Sequence, residues 1–90
     1  MYRVHLIISG DVQGVGYRSW ACKEAKNRHL VGWVKNREDE AVEMVVEGVK
    51  SDLEDFIKAC QQGPEISWVE HVNVTWETAT DEFAVFEVLY

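Results

Sequence analysis

What most constrains this chain is how often its hydrophobic period changes. Along 90 residues the spacing of apolar side chains switches repeatedly between the strand repeat and the helix repeat. Residues 2–8 alternate, with Tyr2, Val4, Leu6 and Ile8 on one face and Arg3, His5 and Ile7 on the other. That pattern predicts a strand with one buried face. A glycine-rich loop follows. From about Tyr17 to His29 the chain lacks Gly and Pro, and Tyr17, Ala21 and Ala25, with Trp20, recur at helical spacing, which predicts a helix. Residues 30–36 (LVGWVKN) and 41–47 (AVEMVVE) read as two strands joined by the turn REDE at 37–40, and Gly48 breaks the pattern. Leu53, Phe56, Ile57 and Cys60 then fall at i, i+3, i+4 and i+7, a helical stripe. Ser51 is its expected cap, with Glu54 completing a capping box, and Gly63-Pro64 its expected stop. Residues 67–77 alternate again, with imperfect phase, and 83–89 read as a last strand.

The resulting order is β-α-β-β-α-β plus a short final strand. Each helix can bury its stripe only on the sheet its neighbouring strands form. This predicts an α+β, ferredoxin-like sandwich: an antiparallel sheet with two helices on one face, a single domain over residues 1–90. An apolar content of 47% is sufficient for such a core. The fold hosts many functions, so individual residues must decide this one.

Charge narrows the field. The net charge of −7 argues against non-specific nucleic-acid binding. The charge is also uneven, at +5 over residues 1–37 and −12 over 38–90. The first half can attract an anion locally while the rest repels polyanions. The longest apolar run is far short of a membrane span, and MYRVHLII is too short and strand-like for a signal peptide, so the expected location is the cytosol. Cys22 and Cys60 read as reduced helix residues, and no Cys/His cluster has metal-ligand spacing. The four Trp residues read as core or sheet-face residues, and His5 and His71 as strand residues.

The stretch between the first strand and the first helix, residues 10–18, reads GDVQGVGYR. Glycines admit positive φ and let an anion approach the backbone. Successive amides in such a turn form an anion-binding nest, and the loop runs into a helix N-terminus. Arg18 at the junction offers a planar, permanently charged fork. Taken alone, the loop is equally a plain strand-to-helix connection. It lacks the Gly-Lys-Ser/Thr ending of the Walker loop and the Gly-x-Gly-x-x-Gly of dinucleotide folds.

GDVQGVGYR resembles the first signature of the acylphosphatase family, Gly-x-Val-Gln-Gly-Val-x-Phe/Tyr-Arg, and GWVKN at 32–36 resembles the second, with Val42 and Gly48 at matching spacing. The resemblance spans essentially the whole chain. It implies hydrolysis of the carboxyl-phosphate bond of acyl phosphates, a small-molecule substrate, without a cofactor or metal; the small size and high charge of the chain lead to the expectation of a monomer. The resemblance implies that Arg18 binds the phosphate with backbone N–H groups of Val12, Gln13, Gly14, Val15, Gly16 and Tyr17, and that Asn36 orients the attacking water. Two positions depart from the signatures. Glu40 stands where the family has Gly, so that a retained turn carries strain there. Asp11 stands where the family often has a basic or neutral residue, and its carboxylate is expected to point away from the phosphate. The rival readings are a non-catalytic phosphate-binding module of the same fold and a partner-binding domain in which the loop is only a turn.

Overall fold

Alternation in the first strand survives intact in the computed structural model, which describes Met1–Tyr90. Val4, Leu6 and Ile8 of β1 (Tyr2–Asp11) are fully buried. Six further elements follow: α1 (Tyr17–Asn27), β2 (Val31–Asn36), β3 (Val42–Gly48), α2 (Lys50–Gln62), β4 (Trp68–Thr78) and β5 (Phe86–Val88). The sheet order is β4-β1-β3-β2-β5. β1 lies between β3 and β4 and is antiparallel to both, and β2 is antiparallel to β3. This is the ferredoxin-like α+β arrangement.

Both helices cover one face. Tyr17, Ala21 and Ala25 of α1 and Leu53, Phe56, Ile57 and Cys60 of α2 share one core with Val4, Leu6, Ile8, Val34, Val42, Met44 and Val46. Fully burying a side chain of this size contributes about 1.5–3 kcal/mol, so the stripes seen in the sequence account for the attachment of both helices.

Three details refine or correct the sequence reading. The helix α2 begins at Lys50 with Val49 as its N-cap, and no side chain caps it. Ser51 therefore lies inside the first turn, because β3 runs on to Gly48 and leaves no connection in which Ser51 could stand. The imperfect phase of β4 comes from a bulge: Ser9 pairs with His71 and Gly10 with Val69, so Glu70 is the extra residue. A Cβ at Gly10 would run into the Trp68 carbonyl there. β5 adds a parallel edge to the antiparallel sheet, pairing with β2. As expected of core or sheet-face residues, Trp33, Trp68 and Trp76 stand on strands and Trp20 of α1 packs against the core. Trp68 and Trp76 are exposed on β4, and Trp20 and Trp33 are half-buried.

β5 reaches its edge because residues 79–85 cross the face of the sheet that carries no helix. Glu47, only 1% exposed, holds this crossing. Its carboxylate accepts from the amides of Thr80 (2.9 Å) and Asp81 (3.1 Å) and from Arg3 Nε (2.8 Å). Burial pushes the Glu47 carboxyl up, but those amides and the guanidinium outweigh it and hold it below the usual carboxylate range. A lowered folded pKa means that this stabilisation is present above the unfolded value of about 4.3 and is lost as pH falls through the folded one.

We expect acid to destabilise the wild type more steeply below pH ~4.3 than Glu47→Gln, whose stability at neutral pH is lower. Urea melts across pH 2–7 read this directly, and parallel curves would refute it. Glu40 sits at φ 70° in the β2–β3 turn, the left-handed region that glycine tolerates. Strain of about 1–2 kcal/mol, less the extra chain entropy of Gly, predicts a net gain of about 0.5–1 kcal/mol for Glu40→Gly. The measure is a raised urea midpoint with unchanged slope.

Candidate active site at the end of the central strand

The loop 12–16 is pinned at both ends. Val12 is 1% exposed within the core. Tyr17, equally buried, donates its hydroxyl to the Cys60 carbonyl at 2.8 Å on α2. Burial pushes the Tyr17 hydroxyl far above its ordinary pKa, so it stays a donor. Between these anchors, Gln13 Nε2 donates to the carbonyls of Arg37 (2.8 Å) and Ala41 (2.9 Å), tying the loop to the β2–β3 turn.

Gly14 and Gly16 have φ of 74° and 78°. Gly16 is the N-cap of α1, and no side chain caps that helix. The helical ladder opens only with Trp20 N–H donating to the Gly16 carbonyl at 3.0 Å. The amides from Gln13 to Ser19 donate to no acceptor in the protein. A nest and a helix N-terminus thus merge into one run of free donors with partial positive charge.

Those of Gly14, Gly16, Tyr17, Arg18 and Ser19 belong to residues that line a cleft of about 90 Å³, together with Val12, Asn36, Val88 and Tyr90. Arg18 and Asn36 therefore share one cleft. Arg3, Arg28 and Arg37 each pair with a carboxylate, and Arg18 does not. Its Nη1 donates to the Leu89 carbonyl at 3.2 Å, and its Cζ lies 4.8 Å from the centroid of the Tyr90 ring. Asn36 closes β2. Its Oδ1 is buried and has no hydrogen-bond partner. A buried acceptor left unpaired costs about 1–3 kcal/mol.

Two of the expected loop residues do not line the cleft: Gln13 reaches to the turn, and Val15 packs on the core. Three lining residues went unseen in the sequence. Ser19 directly follows Arg18 at the helix start and could have been suspected. Val88 and Tyr90 arrive through the parallel β5 edge and had no local signal. Asp11 lines a separate, larger cleft of about 440 Å³ with Asp39, Glu40 and Glu70, whose carboxylates would repel phosphate. Neither cysteine lines the small cleft. Both are free thiols, and burial pushes the Cys60 thiol up to about 12.

Comparison with known proteins points the same way as the cleft. The sequence pattern of the family described as Acylphosphatase matches residues 4–88. An acylphosphatase of Syntrophus aciditrophicus is 43% identical over 90 residues, covering 100% of this chain and 94% of the relative. The crystal structure of acylphosphatase from Bacillus subtilis superposes with a TM-score of 0.96 at 38% identity, covering 100% of both chains. An acylphosphatase structure from Coxiella burnetii gives 0.90 at 32% identity, covering 97% of this chain and 90% of that one.

Gln13→Ala removes both bonds that hold the loop to the turn. We expect a loss of about 1–2 kcal/mol in unfolding free energy. Amide hydrogen exchange should also quicken across residues 37–41, and an unaltered exchange pattern would contradict the role given to Gln13.

Proposed function

Since this chain belongs to the acylphosphatase family and is an enzyme that hydrolyses the carboxyl-phosphate bond of acyl phosphates, we propose that Arg18 and Asn36 carry that reaction. The observation that best supports this division of labour is that Asn36, whose buried Oδ1 has no partner, lines the same cleft as the one arginine without a carboxylate partner.

An acyl phosphate is a mixed anhydride. Water attacks phosphorus, the bond from phosphorus to the acyl oxygen breaks, and a carboxylate leaves with the electron pair. Its conjugate acid has a pKa of about 4, so departure needs no general acid. What remains is positioning and charge stabilisation. The free amides between Gln13 and Ser19 and the Arg18 guanidinium bind the phosphoryl oxygens, whose charge spreads in the transition state. Of the expected loop positions, Val12 supplies wall, Gly14, Gly16 and Tyr17 bring free amides to the cleft, and Gln13 and Val15 support the loop from outside it.

Asn36 Oδ1 accepts one O–H of the nucleophilic water and aims its lone pair at phosphorus. An amide is too weak a base to remove the proton early. A loose transition state tolerates this, since the water loses its proton late, to an oxygen of the phosphoryl group that it has joined. The carboxylates of the neighbouring cleft, Asp11 among them, stay clear of the phosphate. The same reading has the enzyme act as a monomer in the cytosol on a small molecule. Its two free thiols suit a reducing compartment, and no helix is long and apolar enough to cross a membrane.

Hydrolysis of benzoyl phosphate with EDTA present, followed by ultraviolet absorbance, tests the assignment. Arg18→Ala and Asn36→Ala should each lower kcat/KM by at least about 100-fold. They should also separate: Arg18→Ala weakens inhibition by inorganic phosphate, whereas Asn36→Ala lowers kcat and leaves that inhibition in place. Wild-type kcat in either variant would remove that residue from the mechanism.

A further inference from the structure

Building on the phosphate site just described, we infer that Tyr90, backed by Val88, recognises the acyl half of the substrate. The volume of the cleft requires a wall of this kind. At about 90 Å³ it has room on the order of three water molecules, enough for a phosphoryl group and the attacking water. The acyl skeleton therefore lies outside, over the rim.

Few side chains are available to it there. Val12 and Tyr17 are buried, Gly14 and Gly16 present only backbone, and Ser19 is small. The apolar surface left at the mouth belongs to Val88, which is half-buried, and Tyr90, which is 98% exposed. An aromatic ring that exposed has nothing of the protein's own to cover it, yet the backbone that leads to it is held. Val88 pairs with Val34, the Leu89 amide donates to the Val34 carbonyl at 2.8 Å, and the Leu89 carbonyl accepts from Arg18. The backbone of the two residues that precede Tyr90 is thus tied to β2 and to the phosphate-binding arginine, and the ring lies 4.8 Å from that guanidinium. Phosphate held by Arg18 leaves its acyl group within reach of the ring.

The chemistry of this wall selects a class. Arg18 is the only charged side chain of the cleft, and the phosphate engages it. A second anion on the acyl group would find no further cation within the cleft itself. A small acyl group such as acetyl leaves the ring uncovered. An aromatic or branched apolar acyl group covers it, and aromatic pairing of this kind corresponds to about 3- to 10-fold in affinity. The favoured substrates are acyl phosphates with an uncharged aromatic or branched apolar group next to the carbonyl.

The test compares benzoyl phosphate with acetyl phosphate in the wild type, Tyr90→Phe and Tyr90→Ala, with inorganic phosphate as a competitive inhibitor of each. The wild type and Tyr90→Phe should prefer benzoyl phosphate. Tyr90→Ala should lose about 3- to 10-fold of that preference through KM, while phosphate inhibition shifts by less than this ratio. Equal preference in all three proteins overturns the inference and leaves the phosphate site standing. An equal rise in both KM values and in the phosphate inhibition constant also overturns it, because the ring then serves only to steady Arg18. A wild type that hydrolyses neither substrate removes the reaction itself, and the acyl wall with it.

Discussion

The site depends on one shared register. Val42, at the start of β3, is the Cα partner of Ile8 on one side and of Asn36 on the other. β1 and β2 are separated in sequence by the whole of α1, yet both deliver their ends to the level of this residue. Because Val42 is fully buried, a slip of one position would turn the apolar set of either strand outward. The burial that makes the fold stable thus also sets the Arg18 loop beside the Asn36 carboxamide. Gln13 completes the arrangement from above, joining the loop to the turn that follows Asn36.

A second, weaker chain of dependence runs along the opposite face. Glu47 gathers the Thr80 and Asp81 amides, those residues direct the crossing to β5, and β5 supplies the far wall of the cleft. The carboxylate is far from any reacting atom. It matters because a buried charge with four hydrogen bonds, the fourth from the Thr80 hydroxyl, has few alternative arrangements and so specifies one path for the segment. The two faces differ in kind. The helical face is held by non-directional apolar burial, and the open face by one directional polar cluster.

Much of this was legible in the sequence, for identifiable reasons. β1 and α2 announce themselves because their periodicity is local and one face is wholly apolar. GDVQGVGYR and GWVKN are legible because backbone geometry and chemistry restrict those positions together. Even Glu40 was readable: its place in the pattern called for positive φ, and it has φ 70°. What failed was tertiary. Ser51 has the composition of a cap, but the length of β3 decides where α2 starts. The bulge opposite Glu70 exists only in the pairing of β1 with β4. Val88 and Tyr90 reach the cleft through a parallel edge strand that nothing within residues 83–89 foretells.

The free amides of the loop have an evolutionary consequence. A ligand gripped by main-chain N–H groups is gripped by atoms every residue except proline possesses. Drift in a side chain such as that of position 15 leaves those donors in being, provided the path of the chain survives. Inheritance of recognition is thereby separated from inheritance of side-chain identity. On the proposed mechanism the heritable vulnerability is concentrated in a few places: the two glycines that set the curvature, the Gln13 side-chain amide that holds the loop to the turn, and the side chains of Arg18 and Asn36.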